Sequence, residues 1–337
     1  MADPHGRVDL RSDTVTRPTP AMRRAMAEAE VGDDGFRDDP TVRRLEAVFA
    51  EHVGKEAALF VPSGTMANQI ALRLLGRPGT IVFAGRRQHL VVREMGAVGT
   101  NSAVQLVTLD DADGTVDLNA VTRWVADAEV GWAPPSALFV EDTHGEAGGR
   151  VWPHERLQGL GAAGLPVHLD GARLWNAAVA SGVTVGERAA AATTVSCCVS
   201  KGLGAPVGSL LAGPADLIAQ AQIERKRLGG MMRQVGVLAA AGLVALERID
   251  RLAEDHERAR RLAQAAAERW PGCIDPLIVE TNIVRIEHAE PPALIAHLAA
   301  EGVLSVPGSA SMVRLVTHGD VDDADIARAV AAIASAP

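Results

Sequence analysis

Apolar residues recur at three- and four-residue steps over 20–30 and again over 41–53, the spacing of helices that bury one face. The pattern then changes. Ala57–Val61 is a short apolar run broken by Pro62-Ser63-Gly64-Thr65, after which 66–75 returns to a helical rhythm. The same run-then-turn unit reappears at 80–84, 103–109, 137–141, 165–170, 193–200 and 207–212. Several of these runs are apolar throughout, as strands covered by helices on both faces must be. Their alternation with helical stretches predicts an α/β domain built on a mainly parallel sheet. Beyond residue 250 the rhythm shifts to a long charged amphipathic helix over 251–270, then strand, helix, strand and helix. The last helix is predicted to start after the acidic stretch 320–325, where negative charge suits a helix amino terminus. Two domains are expected, a large α/β domain with its amino-terminal arm at 1–250 and a small α+β domain at 251–337.

Composition narrows the function. A chain of 337 residues, 47% hydrophobic and 22% charged, buries enough for about two domains and is neither disordered nor fibrous. The longest apolar run, 235–246, is well short of the ~18 residues of a membrane span. Residues 1–13 are charged from the start and lack the apolar centre of a signal peptide, so a cytoplasmic location is expected. A net charge of −9, without a basic stripe to offset it, argues against nucleic acid as a partner. Cys197, Cys198 and Cys273 are odd in number and lack CxxC spacing, which supports neither a disulfide framework nor a metal cage; the adjacent pair reads as buried strand residues. The chain has no tyrosine, so proton chemistry falls to His, carboxylates, Lys, Cys or a hydroxyl working with water.

Three features carry candidate chemistry. Ser63-Gly64-Thr65 is a small turn between strand and helix whose free N–H groups suit a phosphate, although an ordinary strand-to-helix turn has the same sequence. Asp170 closes the run 165–170 at a strand's carboxyl end, where open α/β sheets bind ligands; Asp-Gly is equally a plain turn signal. Lys201 follows the run 193–200 and is flanked by Gly202 and Gly204, which let other groups approach. Lys55 lies in a polar turn and Lys226 in a basic run, leaving Lys201 as the one lysine set like an imine-forming amine. A phosphate turn, an acid for a pyridinium nitrogen and an imine lysine together fit pyridoxal 5'-phosphate.

Longer motifs join these points. Asp9-Leu-Arg-Ser-Asp-Thr-Val-Thr-Arg-Pro-Thr19, Gly32-Asp-Asp34, Asp39-Pro-Thr41, Phe60-Val-Pro-Ser-Gly-Thr-Met-Ala-Asn-Gln69, His168-Leu-Asp-Gly-Ala-Arg173 and Ser200-Lys-Gly-Leu-Gly-Ala-Pro-Val-Gly208 closely resemble the low-specificity L-threonine aldolases, from Asp9 through Arg314-Leu-Val-Thr-His318. The resemblance implies a type I pyridoxal-phosphate fold, active sites at a dimer interface, usually a homotetramer, and cleavage of L-threonine or L-allo-threonine to glycine and acetaldehyde. It implies that Lys201 holds the cofactor, Asp170 pairs its ring nitrogen and Gly64 and Thr65 bind its phosphate. His89 matches a histidine that stacks on the ring, and His144 one near the substrate hydroxyl. Ser12, Arg173 and Arg314 match the carboxylate-binding group, with Arg173 also near the cofactor. Arg233, in Gly229-Gly-Met-Met-Arg-Gln234, matches an arginine near the phosphate contributed by the neighbouring subunit.

Departures from the family pattern are Phe36, where a tyrosine is common, Asp142, where an asparagine is common, and Leu90-Val-Val-Arg93, where aromatic residues are often found. Either His89 or His144 is the expected base for the β-hydroxyl. Two other reactions use the same cofactor, β-elimination and transaldol transfer. A nicotinamide oxidoreductase built on Gly202, Gly204 and Gly208 is disfavoured because Pro206 removes a backbone donor and no ribose-binding acid follows. A noncatalytic pyridoxal-binding regulator would need a DNA-binding domain, which is absent from this sequence.

Overall fold

The computed structural model describes residues 6–337, so the reading of 1–13 as free of a signal peptide lies partly outside the described residues. Strands β2 (Ala57–Val61), β3 (Ile81–Gly85), β4 (Gln105–Leu109), β5 (Pro135–Glu141), β6 (Val167–Asp170), β7 (Thr194–Cys198) and β8 (Ser209–Gly213) form one seven-stranded sheet in the order β2-β8-β7-β6-β5-β3-β4. Every pairing is parallel except those of β8, which runs antiparallel to both β2 and β7.

Period-two alternation divides the apolar strands between two cores. Phe60, Leu138 and Val140 point to one face with Phe49 and Trp175, while Leu59, Val61, Ala137 and Phe139 point to the other with Ile70 and Leu72. The helices that cover these faces have firm ends. Asp39 caps Pro40–Val53 by accepting from the N–H groups of Thr41 and Val42 at 3.1 and 3.0 Å, Pro40 occupies the first turn, and Gly54 ends the helix at φ 64°.

The carboxyl-terminal part is a small unit with its own core. Strands β9 (Ile283–Glu287), β11 (Val306–Ser309) and β12 (Met312–Val316) make an antiparallel sheet in the order β11-β12-β9, packed by the helices Leu252–Arg269 and Pro291–Ala300, with Asp323–Ser335 lying against both helices. A short strand β1 (Val8–Asp9) from the amino end adds in parallel to β10 (Val303–Leu304), and Val8 and Leu10 are buried in this core with Leu298 and Leu315. The amino-terminal arm thus contributes to the core of the carboxyl-terminal unit.

Three local readings differ from the sequence pattern. The single strand expected between the last two helices is three short ones, β10 to β12. The last helix starts inside the acidic stretch, because Asp322 is its cap and makes a reciprocal capping box with Asp325. The run 193–200 stops being strand at Cys198, and a loop carries Lys201 before β8. That loop closes on Gly208 at φ 120°, where a Cβ would lie 2.4 Å from the Phe60 ring, so only glycine fits. Cys197, Cys198 and Cys273 are buried and free. Among the described residues no helix is long and apolar enough to cross a membrane.

Candidate active site

Parallel strands place their carboxyl ends along one edge of the sheet, and the functional candidates follow those ends. The turn at 63–65 leaves β2, His89 leaves β3, Glu141 and Asp170 end β5 and β6, and Lys201 follows β7. Together with Ser12 from the arm and Ile283 and Arg314 from the small unit, they line a cavity of about 400 Å³.

The first side of this cavity is an anion cradle. Ser63 caps the twelve-residue helix Gly64–Leu75, its Oγ accepting from Met66 N–H at 3.2 Å. The Gly64 and Thr65 N–H groups remain at the positive end of the helix dipole. A Cβ on Gly64 would approach Cys198 Sγ to 3.1 Å, so the glycine keeps the turn close to the neighbouring strand.

Asp170 forms the floor. Its Oδ2 accepts from Asn68 Nδ2 at 2.7 Å and its Oδ1 from Ala172 N–H at 3.0 Å. Burial opposes its charge, but His89, Lys201 and the Asn68 bond outweigh that cost and hold the carboxyl below its ordinary range. Asn68 in turn accepts at Oδ1 from His168 Nε2, 3.1 Å away, and His168 Nδ1 lies 2.9 Å from Thr194 Oγ1. Burial pushes His168 down to about 4, so its ring is neutral. Lys201 is half-buried at the cavity wall, its carbonyl fixed by Thr16 Oγ1 and Gly204 N–H, both at 2.9 Å.

The two candidate carboxylate-binding arginines differ. Arg173 is clasped by buried Asp13, Nε to Oδ2 at 2.7 Å and Nη2 to Oδ1 at 2.6 Å. Among the described residues Arg314 donates only to the Arg11 carbonyl, at 3.2 Å, and its buried Nε has no partner. Burial, then the nearby charges of Arg173 and Arg93, push Arg314 down from its ordinary value. An anion in the cavity relieves both penalties at Arg314. Ser12 lines the same space, its Oγ capping the next turn at Thr14.

The histidines also separate. His89 lines the cavity with its side chain 40% exposed, and its Nδ1 lies 3.0 Å from Glu94 Oε1. Burial opposes its protonation, but the Glu94 bond and the charge of Asp170 raise its pKa. His144 is fully buried away from the cavity wall, with Nε2 2.8 Å from Asp111 Oδ2 and Nδ1 accepting from Ala147 N–H at 3.2 Å. Arg233 lies outside the cavity too, its side chain 66% exposed and 3.3 Å from Asp33.

Several neighbours of the site carry no motif signal of their own. Glu141 is buried at the end of β5 beside Asp170, and its two oxygens accept from His89 N–H (2.7 Å) and Gly145 N–H (2.8 Å). Its place at the end of an apolar run, like that of Asp170, is the sequence clue. Glu94, Asn68 and Asp13 act through side-chain bonds that only the tertiary structure brings together. Arg93 and Glu146, an ion pair on the cavity wall, are of the same kind. Among the departures from the family pattern, Asp142 is buried on Arg188 (2.5 and 2.9 Å), whereas Phe36 is 76% exposed. Among the described residues no cluster of metal-ligating side chains occurs.

An anion cradle at a helix start, an ionised aspartate and a half-buried lysine around one cavity define a type I pyridoxal-phosphate enzyme. The sequence profile of the beta-eliminating lyase family matches residues 9–290, and the chain belongs to that family. Low-specificity L-threonine aldolase 1 of Arabidopsis thaliana is 42% identical over 95% of this chain and 93% of its own length. A threonine aldolase of Leishmania major has the same fold, with a TM-score of 0.82 at 21% identity over 97% of this chain and 98% of that one. A serine palmitoyltransferase of S. paucimobilis with bound PLP-myriocin superposes with a TM-score of 0.76 at 16% identity, over 98% and 87% of the two chains.

Proposed function

We propose that this protein cleaves L-threonine, L-allo-threonine and related L-β-hydroxy-α-amino acids to glycine and an aldehyde, using pyridoxal 5'-phosphate. The observation that carries the reading is the convergence of Lys201, Asp170 and the Gly64–Thr65 turn on one cavity whose wall also holds Arg314, with its Nε left without a partner. The residues fit the cofactor: the open N–H groups at the helix start suit its phosphate, ionised Asp170 its ring nitrogen, and Lys201 its aldehyde carbon. When bound, the cofactor supplies an electron sink for the carbanion left by carbon–carbon cleavage.

The chain's own residues supply the rest. Arg314 and Ser12 bind the substrate carboxylate, with Arg173 fixed beside them by Asp13, and this anchors the amino acid in one orientation. His89 is the group placed to accept the β-hydroxyl proton at Nε2, directly or through a water, because it lines the cavity while both nitrogens of His144 are engaged. His144 then acts by holding the 144–150 turn against Asp111. Buried Glu141 fixes the His89 and Gly145 backbones on either side of the reacting centre.

The proposal includes a cytoplasmic homotetramer, a dimer of dimers with sites at the dimer interface. Support comes from Arg233, which lies outside this chain's cavity and near exposed Phe36; a Cβ on the adjoining Gly35 would be 3.0 Å from Arg233 Nη1. That surface is suited to meet a second copy's phosphate site.

Product analysis tests the reaction. Threonine should yield equal amounts of glycine and acetaldehyde. A 2-oxo acid with ammonia would show elimination instead, and no product with a bound cofactor would show a noncatalytic role.

A further inference from the structure

His89 does not stand alone in the cavity wall. Directly behind it Glu94 is buried, and its carboxylate collects three bonds: Oε1 from His89 Nδ1 (3.0 Å) and Asn68 Nδ2 (2.8 Å), Oε2 from Gln69 Nε2 (2.7 Å). The second amide hydrogen of Asn68 goes to Asp170 Oδ2 at 2.7 Å. Because an ionised carboxylate only accepts, the directions along this chain are fixed. Asn68 must turn its NH₂ to both acids, leaving its oxygen for His168 Nε2–H, and His89 must carry a proton on Nδ1.

We propose that Glu94 is a positioning residue for His89, holding the ring as the Nδ1–H tautomer with Nε2 free for the cavity, and coupling it through Asn68 to Asp170. The inference rests on the functional reading above, since it assigns His89 a proton to move. The charged groups that face His89 are Glu94 from its own segment, Glu141 from β5, Asp170 from β6 and Lys201 from the loop after β7. Glu94 makes the only side-chain bond to the ring among the described residues. It therefore sets both ring orientation and proton affinity, the role a carboxylate plays behind a working histidine.

The test uses the purified, cofactor-loaded enzyme. Diethyl pyrocarbonate reacts only with neutral imidazole, so peptide mapping of His89 modification against pH gives the midpoint of its titration. Wild type should show a midpoint above the ~6.5 of a free imidazole. Glu94→Gln, which keeps the shape and removes the charge, should move the midpoint about one pH unit toward acid and lower kcat on threonine roughly tenfold with KM little changed. Glu94→Asp should recover much of the midpoint. A folded Glu94→Gln with an unmoved midpoint overturns the proposal, as do Asp and Gln variants that behave alike. If Glu94→Gln does not fold, the wild-type midpoint decides, and a value at or below ~6.5 overturns the proposal. A wild-type enzyme that releases no glycine from threonine overturns the functional reading but leaves the midpoint test standing.

Discussion

Arg173 is committed to Asp13 through two parallel bonds of 2.6 and 2.7 Å, while Arg314 on the same cavity keeps a buried Nε without a partner. Two arginines that look equivalent in the sequence are thereby given different work. Asp13 is fully buried and held well below the ordinary carboxylate range despite burial, chiefly by Arg173.

Replacing these arginines should separate stability from binding. Arg173→Ala strands a buried carboxylate and should cost about 3–5 kcal/mol of stability. Arg314→Leu removes a half-buried cation whose Nε has no partner, should leave stability close to wild type, and should raise KM for threonine by about one to two powers of ten. Denaturant unfolding and steady-state kinetics on both variants check this. Equal stability losses would contradict the assignment.

His89 and His144 should likewise diverge. His89→Phe keeps a ring at the cavity wall and should fold normally while kcat falls at least about a hundredfold, the lower end of what a positioned proton acceptor contributes. His144→Phe removes the partner of buried Asp111, so thermal unfolding should come first and activity should follow stability. If His144→Phe unfolds like wild type yet loses turnover or changes its threo/erythro ratio, His144 acts on substrate.

Acid should weaken the fold through two buried neutral histidines. His168 and His256 are both pushed down to about 4, mainly by burial. The unfolded chain takes up these protons near pH 6.5 and the native protein only near 4, so their stability is present above 6.5 and lost as pH falls between the two values. Each contributes about 3 kcal/mol across that window. Buried carboxylates with raised pKa values, such as Asp142 and Asp255, work in the opposite sense, so the readout is a comparison. The stability difference between wild type and His168→Asn should shrink as pH drops from 7 to 4.5. A constant difference would contradict it.

How far the sequence reaches follows from where the signals lie. Runs buried on both faces, such as β3 and β7, and the turn after β2 are local patterns, and they place Gly64, Asp170 and Lys201 without the structure. Motif resemblance adds His89, Arg173 and Arg314. What stays hidden depends on pairing between distant segments: the reversal of β8, the arm strand β1 laid on β10, Asp13 clasping Arg173 160 positions away, and Glu94 behind His89. The burial of His144 was equally invisible, because nothing in Glu141-Asp-Thr-His144 announces Asp111 as its partner.

The central claim is that Lys201 carries the cofactor in this cavity, and borohydride reduction followed by peptide mass mapping tests it most directly. The purified enzyme should bleach on reduction and yield one modified peptide, with a pyridoxyl-phosphate group on Lys201, and Lys201→Ala should give neither the modification nor turnover of threonine. Modification at Lys55 or Lys226, or wild-type turnover by Lys201→Ala, would contradict the account.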